Sequence, residues 1–249
     1  MMLPYSSQGQ GETTLVLMHY LGGSHRTWLP ALPYLDRYYH CVALNTPGFG
    51  DAAGFKGYDV ASMVRQVDDT IRGLGLKKVI LVGHSMTGKV ALALAAQRPD
   101  YLEKLVLVAP SPPGPQPMSD EGREAQASYQ GTRAEAEKFV DGSCSARLPE
   151  PLREVAIADA QSASLAAWHA WPLSGSREQW RERIGRIDIP ALLVLGSEDR
   201  NVPGIDAQRE MMQTHLPQGK LEVIEGAGHL MPMQTPQALA ARILAFAAG

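Results

Sequence analysis

Six short runs rich in Val, Leu and Ile alternate along the chain with longer segments whose apolar residues recur every three or four positions. A run of aliphatic residues without polar alternation must be covered on both faces. The longer segments supply amphipathic helices to cover it, so the pattern predicts an α/β fold with a mostly parallel central sheet flanked by helices. Residues 14–18, 41–44, 79–82, 105–108, 192–195 and 221–224 are the expected strands. Residues 27–35, 60–74, 88–98, 206–215 and 236–247 are the expected helices. In an open sheet of this kind the ligand lies beyond the carboxyl ends of the strands.

The alternation breaks after Ala109, where PSPPGPQP carries too many prolines for a central strand. Helical sequence follows at 120–129, 132–140, 151–162, 164–170 and 177–183. Its periodic Ala, Leu, Val and Trp argue against a structureless linker. An inserted helical cap is expected at residues 111–185, with residues 1–110 and 186–249 forming the core. A chain of 249 residues can bury one large core, which favours a single domain with an insertion.

A net charge of −3 without a basic run excludes an electrostatic footprint for nucleic acid or an anionic membrane surface. The two cysteines, Cys41 and Cys144, form no C-x-x-C pair, so neither a metal site nor a disulfide framework is expected. The polar N-terminus lacks the basic and apolar stretches of a signal peptide, and the expected location is the cytoplasm.

The run KKVILV leads into Gly83-His84-Ser85-Met86-Thr87-Gly88, followed by an alanine-rich helical stretch. A serine in a sharp turn between strand and helix projects its hydroxyl at the top of the sheet. There the helix N-terminus offers a positive field to a developing anion. The alternative role of Ser85 is to cap that helix. The turn resembles the G-x-S-x-G nucleophile elbow of α/β-hydrolases, with Thr87 in place of the second glycine. A side chain there predicts a slightly opened elbow, because small residues let strand and helix approach.

A serine hydroxyl needs a base, and the resemblance implies the chain order Ser, acid, His. After the run ALLVLG, Ser197-Glu198-Asp199-Arg200-Asn201-Val202-Pro203 resembles the family's G-x-x-D-x-x-V-P turn and assigns the acid to Asp199 rather than Glu198. After LEVIEG, Ala227-Gly228-His229-Leu230 resembles the family's G-x-G-H loop and assigns the base to His229. His84 is the competing base, but its place beside the serine suits a structural role. The resemblance also implies that the backbone amides of Leu21 and Met86 form the oxyanion hole.

Within His19-Tyr20-Leu21-Gly22-Gly23-Ser24 the family usually has glycine where this chain has Tyr20. The Tyr20 ring either reaches the substrate pocket or packs beneath the loop. Trp28 is expected in the core. Asn45-Thr46-Pro47-Gly48-Phe49-Gly50 resembles the family's D-x-P-G-x-G turn with Asn45 for aspartate, a structural signature without chemistry. In the expected cap, Trp168 and Trp171 either join helices to one another or wall a pocket over Ser85. The similarity runs from residue 15 to residue 247, while the cap matches in position and helical character alone.

These residues imply a hydrolase that cleaves an ester or related acyl bond of a small apolar substrate through an acyl-serine, with no cofactor and no metal. The partner expected is this small-molecule acyl substrate. Carbon–carbon bond hydrolysis, cofactor-free peroxidase-like chemistry and non-catalytic ligand reception on the same fold are the alternatives. Serine at the elbow speaks against the dehalogenase and epoxide-hydrolase relatives, which use aspartate there.

Overall fold

The computed structural model describes residues 1–249. Each aliphatic run is a strand: β2 (Thr13–Met18) and β3 (His40–Leu44) follow a short β1 (Tyr5–Gln8), and then come β4 (Lys78–His84), β5 (Leu102–Val108), β6 (Ala191–Gly196) and β7 (Gly219–Ile224). They form one sheet in the order β1-β3-β2-β4-β5-β6-β7. All neighbours are parallel except β1, which pairs antiparallel with β3. β1 gave no signal in the sequence. Its residues, YSSQ, are polar and mostly exposed, and it is held as an edge strand through its backbone register from Tyr5↔Leu44 to Gln8↔Cys41.

Alternate residues of the central strands enter two separate cores. Val79 and Leu81 of β4 join one cluster, whereas Ile80 and Val82 join the other. Each such side chain contributes about 1.5–3 kcal/mol when fully buried. The chain supplies eleven α-helices: α1 (Leu32–Leu35), α2 (Val60–Gly73), α3 (Met86–Ala95), α4 (Asp120–Ala127), α5 (Arg133–Gly142), α6 (Glu150–Ser162), α7 (Leu165–Leu173), α8 (Arg181–Ile184), α9 (Ile205–His215), α10 (Met231–Gln234) and α11 (Pro236–Ala248). Residues of α2, α3 and α9 pack on one face of the sheet, and those of α1 and α11 on the other.

The single helix expected at residues 27–35 does not form. A 3₁₀ turn at His25–Trp28 precedes α1 instead. Pro30 has no N–H to donate to an α-helical ladder, which breaks the periodic segment there. Trp28 is buried in the core as expected.

Helices α4 to α8 occupy the long connection between β5 and β6. Its entry and exit meet at one side chain. Lys89, in α3 and fully buried, places its three N–H donors among four carbonyls, those of Gly114 (3.0 Å), Gly175 (3.2 Å), Ser176 (3.3 Å) and Glu178 (3.2 Å). A buried ammonium is tolerable when it is surrounded by acceptors. The insertion is thus fastened at both ends to the helix that follows Ser85. No helix of the chain is long and apolar enough to cross a membrane.

Candidate active site

Strand β3 lies on one side of β2 and β4 on the other, so the sheet order reverses at β2 and leaves a crevice beyond the carboxyl ends of β2 and β4. The loop after β2 carries Tyr20 and Leu21, and the turn after β4 carries Ser85.

Ser85 adopts φ 57° and ψ −118°, a left-handed conformation that is strained for a residue with a Cβ. Neighbouring backbone holds it there. Its N–H donates to the Val108 carbonyl at 2.9 Å, and its carbonyl accepts the N–H groups of Gly88 (2.8 Å) and Ser111 (2.9 Å). The Ser85 hydroxyl makes no capping bond to the helix, which removes the capping alternative. It donates instead to His229 Nε2 at 2.7 Å, while His229 Nδ1 donates to Asp199 Oδ2 at 2.7 Å. Burial works against charge on Asp199. The His229 ring and the Asn201 N–H at 2.8 Å outweigh it and hold the carboxyl below its ordinary value. Asp199 is 4% exposed at its side chain, whereas the neighbouring Glu198 is exposed. The structure therefore brings together the serine, histidine and aspartate that the sequence singled out.

His229 is fixed through its backbone as well. Its N–H donates to the Ser143 carbonyl at 2.9 Å, at the C-terminal end of α5, and its carbonyl accepts from His84 Nε2 at 2.8 Å. His84 is fully buried, and burial together with the nearby His229 pushes its pKa down to about 3. It is a neutral donor to the His229 backbone, and the hydrogen bond to the Ser85 hydroxyl is made by His229 rather than by His84.

The elbow is closed rather than opened by Thr87. The Thr87 hydroxyl accepts the His84 N–H at 3.0 Å and donates to the His19 carbonyl at 2.9 Å, with the His84 carbonyl also in reach at 3.0 Å. The close approach that a glycine would allow is displaced by one residue. A Cβ on Gly88 would stand 2.5 Å from the Pro110 Cβ. Thr87 thus ties the serine turn to the loop that carries Leu21.

Met86 is the first residue of α3, where an amide has no intrahelical partner. The Leu21 N–H enters none of the loop hydrogen bonds, and Leu21 lines the same cavity as Ser85 and His229. Neither N–H has a hydrogen-bond partner within the chain. The loop is shaped by Gly22, whose φ of +81° suits glycine and whose Cβ would fall 2.5 Å from the Trp168 ring. His19 anchors the loop start, its Nδ1–H donating to the Tyr20 carbonyl at 2.7 Å and its Nε2 accepting the Thr46 N–H at 3.1 Å. Burial pushes the His19 pKa down to about 4, so it too is neutral. Asn45 takes a structural part, accepting the His25 N–H at 3.0 Å.

A cavity of about 600 Å³ opens over Ser85 and His229. Tyr20 lines it and lies beside His84, with ring centroids 5.3 Å apart. Trp168 and Trp171 line it too, Trp168 packing against other residues of the insertion and Trp171 against α3. Trp168 stacks on Tyr129 with centroids 3.8 Å apart and donates Nε1–H to the Gln126 carbonyl at 3.1 Å, and Trp171 lies beneath the Lys89 ammonium. The walls are not purely apolar, since Gln116, Gln126, Lys138, Arg200 and Asn201 share them with the aromatic rings.

The alpha/beta hydrolase family matches residues 15–242. The chain is 27% identical to a dihydrolipoyllysine-residue acetyltransferase component of an acetoin cleaving system from Pseudomonas putida, over 96% of this chain and 64% of that protein's length. It is 26% identical to an (E)-2-((N-methylformamido)methylene)succinate hydrolase from Acinetobacter baylyi, over 94% of this chain and 89% of the relative. Its fold matches the crystal structure of a bromoperoxidase from Bacillus anthracis with a TM-score of 0.90 at 23% identity, covering 98% of this chain and 95% of the other.

Proposed function

Because the chain belongs to the alpha/beta hydrolase family, we propose that it is a serine hydrolase that cleaves an ester or related acyl bond through a Ser85–His229–Asp199 triad. The observation that carries the reading is the continuous relay from Ser85 Oγ to His229 Nε2 and from His229 Nδ1 to Asp199 Oδ2, each 2.7 Å long. An attacking serine must lose its proton as the bond to carbon forms, and His229 stands within reach to take it. Asp199 fixes the tautomer that leaves Nε2 free as the acceptor and stabilises the imidazolium that results.

Attack makes a tetrahedral oxyanion, which the N–H groups of Leu21 and Met86 stabilise. Removing one such donor typically costs about 2.7–4 kcal/mol of barrier. Collapse of the intermediate expels the alcohol, which leaves with the proton from His229. Water then attacks the acyl-Ser85 carbonyl with His229 again as base, and the acid departs as Ser85 Oγ recovers its proton.

The helices of residues 111–185 act as a cap over this cavity, whose size suits a small to medium acyl compound. The rings of Tyr20, Phe139, Trp168 and Trp171 line it and favour an apolar acyl portion. Labelling by a fluorophosphonate tests the reading. Wild-type protein should react at Ser85 and show a burst of chromophore with a nitrophenyl ester, and Ser85→Ala should do neither while keeping its circular dichroism spectrum. Equal labelling of the folded variant removes Ser85 from the nucleophile's role.

A further inference from the structure

Two cations line the cavity without an ionic partner: Lys138, on α5, and Arg200, next to the acid Asp199. Neither side chain forms a salt bridge, and the acidic residues of α5, among them the one that lines the cavity, have other partners. On α5, Glu137 pairs with Arg133 at 2.9 Å and Asp141 with Arg153 at 2.8 Å. Glu135, which also lines the cavity, is held in the capping box, where it accepts the Thr132 hydroxyl at 2.7 Å and the N–H groups of Thr132 (3.0 Å) and Gln130 (3.2 Å). Asp199 is bound to His229 and Asn201. In the same wall Tyr129 is 5% exposed and keeps a hydroxyl with no hydrogen-bond partner. Burial, aided by Glu135, pushes its pKa up to about 12, so the phenol stays a neutral donor.

A cleft with low-dielectric walls focuses the field of the charges at its rim. Aromatic rings near Ser85, unpaired cations and an unused donor together describe a site for an amphipathic molecule rather than for a plain hydrocarbon acyl chain. We propose that the substrate carries a terminal anionic oxygen group, a carboxylate or phosphate, and that Lys138 and Arg200 are the specificity-determining pair that holds it. The proposal rests on the serine-hydrolase reading of the same cavity and adds the charge of the substrate to it.

The test uses nitrophenyl esters of three acids of matched length, hexanoic, adipic and 5-phosphonopentanoic acid. Wild-type protein should show a higher kcat/KM for at least one anionic ester than for the neutral one, and the two anionic ends, ranked against each other, identify the group. Lys138→Ala and Arg200→Ala should each lower the anionic-to-neutral ratio roughly two- to five-fold, and the double variant by about ten-fold, the scale of partly exposed ion pairs. Lys220→Ala, which removes an exposed cation from β7, should leave the ratio unchanged. A wild-type ratio near one, or a ratio that survives in the double variant, overturns the proposal.

Binding separates this result from the fate of the hydrolase reading. Monomethyl adipate should shift the NMR spectrum of Ser85→Ala at lower concentration than methyl hexanoate does, and the advantage should vanish when Lys138 and Arg200 are also replaced. Charge-dependent binding without any ester turnover or phosphonate labelling of wild-type protein would retain the anion site and reject the hydrolase. Turnover without charge preference would do the reverse.

Discussion

The Asp159 carboxylate, on α6 of the insertion, accepts the Ser24 hydroxyl at 2.8 Å. Its other oxygen accepts from Arg26 Nε at 2.9 Å, and the side chain is only 2% exposed. Ser24 and Arg26 follow directly on the loop that carries Leu21, so a helix of the insertion fixes the far end of a loop whose near end is fixed by His19. Asp159→Ala should lower kcat by up to about 10²-fold, because a misplacement of about 1 Å at a reacting centre has that effect. KM should move much less. Steady-state kinetics on an ester read the two constants, and a rise in KM alone would assign Asp159 to substrate binding instead.

The adjacent pair Glu198 and Asp199 gives a second test. Only Asp199 reaches His229, and Glu198 is exposed. Asp199→Asn should cut turnover by about 10⁴, the effect of a triad acid that can no longer set the histidine tautomer. Glu198→Gln should leave turnover within about two-fold, as expected of a surface change. Measured kcat for the two variants decides, and the reverse ranking would move the orienting acid to Glu198.

Thr87 offers a test of the turn itself. Thr87→Val keeps the shape but leaves the His84 N–H and the His19 carbonyl without this partner, a loss on the order of 1–3 kcal/mol for a buried polar group. Urea denaturation should show that loss. Glycine, the residue usual at this position in the resemblance, also lacks the hydroxyl and should fare no better. A Thr87→Gly variant as stable as wild type would show that the hydroxyl's bonds contribute nothing.

Stability should fall in mild acid. His19 and His84 have pKa values of about 4 and about 3 in the folded chain, below their ordinary 6.5, chiefly because both are buried. Below pH 6.5 the unfolded chain takes up protons that the folded one refuses, so stability present above that value is lost as the pH drops towards the folded pKa values. The slope is about 1.4 kcal/mol per pH unit for each histidine. Denaturation midpoints at pH 7.5 and pH 5 measure it, and His84→Gln should flatten the difference. An unchanged difference in that variant would exclude His84 as a source.

The Ser85–His229–Asp199 constellation was legible because each member sits in the loop after a strand that its own aliphatic run announces. Ser85 and Asp199 each come three residues after VILV and ALLVLG, and His229 five residues after LEVI. β1 was not legible, since an edge strand needs only backbone partners and carries no buried face. Nor were the residues that act across the insertion. Asp159 lies 135 positions from Ser24, and Ser143 reaches His229 from the end of α5. No local periodicity encodes such contacts, because they depend on how the insertion comes to rest on the core. Four helices of the insertion were legible in approximate extent through their apolar spacing and caps, but in the segment expected at 177–183 only Arg181–Ile184 is α-helical, and the Lys89 bonds that fasten the insertion were not legible. The Thr87 bonds had a visible cause, a hydroxyl where the resemblance has glycine, though the sense of its effect required the fold.

Lys89 has a consequence for exchanging parts between relatives. Its ammonium takes its acceptors from residue 114 at one end of the insertion and residues 175, 176 and 178 at the other, so these positions are the natural seams for a graft. A foreign segment that offers carbonyls at both seams leaves the lysine solvated by backbone. One that does not traps a lone charge in the core at a cost on the order of 3–5 kcal/mol, comparable to breaking a buried pair. Substituting Lys89→Met together with such an ill-matched segment should recover refolding yield that the segment alone loses. The portable unit in this chain is therefore the insertion plus one residue of α3, and a swap that respects only the loop boundaries separates two halves of a single fastening.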